Sequence, residues 1–167
     1  MKRVATYLLF FLSFSLFAKA DHITGGQMSY SFIGISSDGL YQYNVFFRVF
    51  MRCNSGRQFN NPTIVSIFNK AGNERVADIT VPLTSSETLS LNNSNPCITD
   101  PPVVCYVVGI YNFQISLPAS TAGYILSSQV NYRIAGISNL TGNYGLIGAA
   151  YTAEIPGTAA GVSLPKK

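Results

Sequence analysis

The sequence contains no tryptophan, one histidine and three cysteines, and only 11% of its 167 residues are charged. Each shortage removes a class of chemistry. A Ser or Cys nucleophile needs a base, normally histidine, and the sole candidate is His22, near the start of the chain, where a segment is usually mobile unless a strand pins it. One His and three scattered Cys lack the close paired spacing of a zinc site, so neither a metal nor a cofactor is expected. Asp21, Asp38, Glu74, Asp78, Glu87, Asp100 and Glu154 form no acidic cluster. A glycosidase would have to assemble two of them from distant positions. Gly25-Gly26 follows no strand and opens no helix, so it is no phosphate loop. No basic stripe with interleaved aromatics is present, which argues against nucleic acid as a partner. The expectation is a non-enzyme with no catalytic residue.

What the first twenty residues do contain is a targeting pattern. Met1-Lys2-Arg3 is a short basic region, Val4 to Phe17 is apolar apart from Thr6, Ser13 and Ser15, and Ala18-Lys19-Ala20 has small residues where a signal peptidase reads. The pattern predicts a signal peptide over 1–20, cleaved between Ala20 and Asp21. A retained anchor is the alternative, but it normally needs about 20 uninterrupted apolar residues. No Cys lies near the cleavage site, which excludes a lipid-modified N-terminal cysteine. No later run is apolar enough to span a bilayer as a helix. The formal charge of +4 shrinks with the segment, because Lys2, Arg3 and Lys19 leave with it and eight basic groups then face seven acidic ones. An exported chain enters an oxidising compartment.

From Asp21 to Lys167 the apolar residues alternate with period two between clusters of Gly, Asn, Asp, Ser and Pro. The clearest run is 41–52, where Tyr41, Tyr43, Val45, Phe47, Val49 and Met51 share one face; Phe46 and Phe50 on the other suggest cover on both sides near the middle. Ser36-Ser37-Asp38-Gly39 supplies a hairpin turn that pairs this run with 27–33. Further strands are predicted at 63–68, 75–81, 87–91, 103–117, 123–134 and 146–155, with Gly72 as the flexible residue of the 69–73 turn and Gly109 marking a bulge or break. About eight strands without a helical period predict one all-β domain over 21–167, an antiparallel β-sandwich of Ig-like or jelly-roll-like type.

Three cysteines in an exported chain leave one unpaired. Cys97 and Cys105 enclose a loop with two consecutive prolines; a bridge there would stabilise by roughly 2–3 kcal/mol. Cys53 is then the free thiol, either an intermolecular or redox-active group or a buried remnant. Tyr41, Tyr43, Tyr111 and Tyr124, with Tyr30 and Tyr151, admit two readings. At strand spacing they are core; exposed in a row they would be a sugar-stacking platform.

Several short pieces recur in an order that resembles a known family: Asp21-His22-Ile23-Thr24-Gly25-Gly26, Phe50-Met51-Arg52-Cys53-Asn54, Asn95-Pro96-Cys97, Pro101-Pro102-Val103-Val104-Cys105, Gly109-Ile110-Tyr111 and Tyr151-Thr152-Ala153-Glu154-Ile155-Pro156-Gly157. Together they resemble the N-terminal region of large exported surface proteins of Bacteroidetes, the gliding-motility-associated or type IX secretion sorting-domain proteins. The resemblance implies a non-enzymatic, adhesive cell-surface module at the front of a longer protein. Two departures stand out. The family pattern has an Arg-Cys-Cys-Arg-Asn segment where this chain has Val130-Asn131-Tyr132-Arg133-Ile134, and the chain stops at Leu164-Pro165-Lys166-Lys167 without a sorting domain, which leaves a periplasmic location open. The expected partner is an extracellular protein or a glycan. Competing readings are a carbohydrate-binding module using the tyrosines and an assembly subunit that donates the strand Ile23 to Tyr30.

Overall fold

In the computed structural model, which describes residues 22–90, 105–134, 137–142 and 147–158, the period-two pattern becomes eight strands, with no helix among the described residues. They are β1 (Ile23–Ile35), β2 (Tyr41–Arg52), β3 (Thr63–Asn69), β4 (Glu74–Val81), β5 (Ser85–Ser90), β6 (Cys105–Leu117), β7 (Gly123–Val130) and β8 (Ala149–Pro156). The first sheet has the order β1-β2-β6-β5 and the second β4-β3-β7-β8, and every neighbouring pair is antiparallel. Read as strands A to G with an added C′, these orders are A-B-E-D and C′-C-F-G, the immunoglobulin-type arrangement of a sandwich. The Ig-like alternative is therefore the one realised.

Alternation decides which face of each strand is buried. Tyr43, Val45, Phe47, Val49 and Met51 of β2 are all buried, and the register sets Phe47 opposite Met28 on one side and Tyr111 on the other. From the facing sheet Val65, Ile67, Leu126, Ala153 and Ile155 complete the core. Burying each large aliphatic or aromatic side chain stabilises by about 1.5–3 kcal/mol. The expectation that β2 is covered on both sides is only half met. Phe46 and Phe50 on its outer face stay partly exposed, while Arg48 and Arg52 are exposed.

Turns follow local chemistry with one change. Gly39 takes φ +82° in the β1–β2 hairpin, and the Ser36 backbone N–H donates to the Leu40 carbonyl at 2.9 Å. In the β3–β4 turn the left-handed residue is Asn73, at φ 56°, rather than Gly72. Asn tolerates that conformation because its short amide hydrogen-bonds locally.

Two glycines mark close approach. Gly109 is neither a bulge nor a break: it pairs in register with Val49 and Ser86, and the Phe59 ring lies where a β-carbon would be, within 2.8 Å. At Gly26 a β-carbon would stand 2.9 Å from both the Arg48 carbonyl and the Tyr151 ring, so this glycine lets the edges β1 and β8 of the two sheets meet. The Arg48 oxygen belongs to the β1–β2 ladder and cannot move aside. Gly26→Ala is expected to destabilise the domain by about 1–3 kcal/mol through overpacking, read as a lower urea midpoint with an unchanged slope.

Candidate functional site

The tyrosines do not form a platform. Tyr43, Tyr111 and Tyr124 are buried, and Tyr41, half-buried, packs on Phe32 with ring centroids 6.0 Å apart. Tyr43 lies edge-on to Tyr30 and Phe32, at 5.8 and 5.6 Å. Burial pushes the phenols of Tyr30, Tyr43 and Tyr151 up, as expected for groups that lose water when charged. Tyr124, at the start of β7, donates its hydroxyl proton to the Pro118 carbonyl six residues upstream at 3.0 Å. That is the tyrosine corner of immunoglobulin-type sandwiches, a device that fixes the β6–β7 connection. These four side chains are spread over the core and serve packing, so they offer no stacking surface.

The cysteines also pair differently from the expectation. Cys53, just after β2, is bonded to Cys105, the first residue of β6, with 5.6 Å between their α-carbons. Cys53 is therefore not a free thiol, and Cys105 is not available to Cys97, which lies outside the described residues. The reason is register: Arg52 pairs with Tyr106, so the next residue of one strand meets the previous residue of the other, and the Cys53 N–H donates to the Cys105 carbonyl at 3.3 Å.

That staple sits at one end of the sandwich, and beside it a cleft of about 370 Å³ opens between the sheets. Its floor is Ile23, Val49, Thr63 and Tyr111, and its rim is His22, Arg57, Gln58, Phe59, Asn60, Asn131 and Tyr132. Three separate stretches supply the rim: the residues leading into β1, the β2–β3 connection and the chain leaving β7. Apart from His22, the one candidate base, no rim residue stands out in the sequence for this role. No periodic pattern marks them; the faint signal is the density of Asn and Gln around the turns at 54–61 and at Asn131.

The polar groups of the floor are hydrogen-bonded, and they sit among the apolar Ile23 and Val49. The Tyr111 hydroxyl donates to the Asn60 carbonyl at 2.6 Å, its ring stacks on Phe47 at 5.5 Å, and burial pushes its pKa up to about 12. Ser128, 1% exposed, donates to the Ile64 carbonyl at 2.8 Å, so the neighbouring Thr63 hydroxyl, 3.4 Å away, donates to Ser128.

The rim is held by an unusual join. Ile23 pairs with Met51 in the first sheet and forms a parallel bridge to Arg133, beyond β7 of the second. Its N–H donates to the Tyr132 carbonyl at 3.0 Å, its own carbonyl accepts from the Ile134 N–H at 2.9 Å, and the His22 carbonyl accepts from the Arg52 N–H at 3.0 Å. The segment before β1 is thus pinned. The predicted strand 123–134 stops at Val130 because Tyr132 turns to φ 70°, presenting a 41% exposed ring that lies 5.8 Å from the His22 ring. Among the described residues no group of three or more His, Cys, Asp or Glu comes together. No family model matches the chain, and no curated protein and no solved structure matches it.

Three outcomes are expected. Cys53→Ser is expected to remove about 4 kcal/mol of stability on the chain-entropy estimate for the 52-residue separation. Cys97→Ser is expected to leave the Cys53–Cys105 peptide intact in a non-reducing digest. The phenol of Tyr111 ionises near 10 in the unfolded chain and near 12 in the folded one. Because the folded value is raised, its contribution is complete below about pH 10 and is lost as pH rises toward about pH 12. Urea midpoints are expected to fall over that window, and to fall less in Tyr111→Phe.

Proposed function

We propose that this chain is an exported β-sandwich module of the cell surface or extracellular space that recognises a partner molecule and performs no catalysis. The observation that carries the reading is the polar cleft at the disulfide-stapled end. In the immunoglobulin-type lettering its rim comes from the B–C and F–G connections, the same pair that, with one more loop, forms the recognition end of variable domains. This is analogy at the level of fold. Loops held on a rigid frame are where binding residues concentrate, and the disulfide is compatible with an oxidising compartment. No described helix is long and apolar enough to cross a membrane.

The resemblance to Bacteroidetes gliding-motility and type IX secretion proteins agrees with the reading, and the pieces that carry it touch in pairs. Gly26 receives the Tyr151 ring, and Cys53 is bonded to Cys105. On this view the chain is an adhesive N-terminal module. The alternative of a carbohydrate-binding surface made of Tyr41, Tyr43, Tyr111 and Tyr124 has no exposed row to rest on.

Expression of the full chain in a Gram-negative bacterium tests the proposal. It is expected to be recovered outside the cytoplasm, to begin at Asp21 on N-terminal sequencing, to carry the Cys53–Cys105 bond, and to make coated beads adhere to bacterial or host cell surfaces. Cytoplasmic retention of an uncleaved chain would contradict it. So would hydrolysis of glycosides, esters or peptides that disappears on changing one Asp or Glu.

A further inference from the structure

We infer that the cleft takes an acidic sugar, a uronate-type residue of an anionic polysaccharide, with Arg57 holding the carboxylate, the rim amides holding hydroxyls and Tyr132 packing on the sugar face. The inference rests on the partner-recognition reading and names the ligand class of the same cleft.

Charge is the first argument. Arg57 is the one Arg or Lys side chain lining the cleft, with the His22 imidazole across from it, and no carboxylate lines it. Arg52 and Arg133 stand at the same end of the sandwich, at the close of β2 and just beyond β7. The described acids lie elsewhere. Asp38 and Glu74 are at the hairpins of the opposite end, and Glu154 and Asp78 face outward from the second sheet, paired with Lys70 at 2.5 Å and Arg75 at 3.1 Å. Glu87 lies toward the cleft end, opposite Val108, but on the outer face of the first sheet with Phe50. Among the described residues the cleft is thus lined by an arginine and by no carboxylate, and the described acids stand at the opposite end or on the outer faces of the sheets. An arginine fork offers a carboxylate two parallel charge-assisted hydrogen bonds.

The remaining groups fit a sugar better than an acidic peptide. Gln58, Asn60 and Asn131 each present both a donor and an acceptor, the complement of vicinal hydroxyls. An extended peptide would bind by adding to a free strand edge, but at the cleft the start of β1 is already occupied on both sides, by Met51 and by Arg133. Tyr132 supplies the apolar partner. A non-glycine residue at φ 70° is strained, and such strain persists where surrounding contacts over-determine it and clusters at ligand clamps. Here the carbonyl of that residue is held by the N–H groups of His22 and Ile23, which fixes an exposed aromatic ring at the mouth of the cleft. The volume lies within the range of about 300–1,000 Å³ typical of small-ligand sites.

Calorimetric titration of the purified exported protein with trigalacturonate, neutral galactotriose and triglutamate tests this. Trigalacturonate is expected to bind at least about tenfold tighter than either, with affinity falling as salt is raised. Arg57→Gln is expected to lose about tenfold or more of the trigalacturonate affinity and most of the salt dependence. Tyr132→Gly, which keeps the backbone angle without strain, is expected to weaken binding while circular dichroism remains that of the folded domain. Lys70→Gln, at the far end, is expected to change nothing. Equal affinity for the acidic and neutral sugars, a preference for triglutamate, no binding of trigalacturonate, or full affinity in Arg57→Gln overturns the inference. A protein that is exported and adheres, yet ignores trigalacturonate, refutes the ligand class and leaves the recognition reading standing.

Discussion

At one end of the sandwich a single residue ties the first sheet to the segment that follows β7, and the candidate site depends on that join. Ile23 is 2% exposed, pairs with β2 in one direction and bridges to Arg133 in the other. Three backbone hydrogen bonds at 2.9–3.0 Å tie it and His22 to the first sheet and to the segment after β7. Without this clamp, His22 would be a loose end, Tyr132 would have no reason to keep a positive φ, and the cleft would lose one wall.

Around the clamp the division of labour is orderly. Sheet register sets which aromatic side chains fill the interior, so that Phe47 and Tyr111 stack at the centre and Tyr124 locks a corner. The disulfide ties β2 to β6 near the cleft, stiffening the strands from which the Arg57-bearing connection departs. Covalent reinforcement therefore lies beside the cleft.

Much of this fold was legible because strand chemistry is periodic. All eight strands were expected within a few residues of where they lie, and the buried face of 41–52 followed from alternation alone. Register was not legible. Cys97 and Cys105 are neighbours in sequence, which made them the natural pair, whereas the Cys53–Cys105 bond arises only once β2 and β6 are aligned. Gly109 carries no signal that distinguishes a bulge from a seat for the distant Phe59 ring. The site was least visible of all. Its rim comes from short aperiodic stretches around residues 22, 57–60 and 131–132, and the cue that ends β7, a left-handed Tyr132, has no sequence counterpart.

Residue-resolved amide hydrogen exchange tests the clamp most directly. The Ile23, Arg52 and Ile134 amides are expected to exchange about as slowly as the Val45 and Phe47 amides of the central strand, because all open only with the sandwich itself. Rapid exchange at Ile23 and Ile134 in a domain whose central strand stays protected would contradict it, since the end of the sandwich would then be open and the cleft would have no fixed shape.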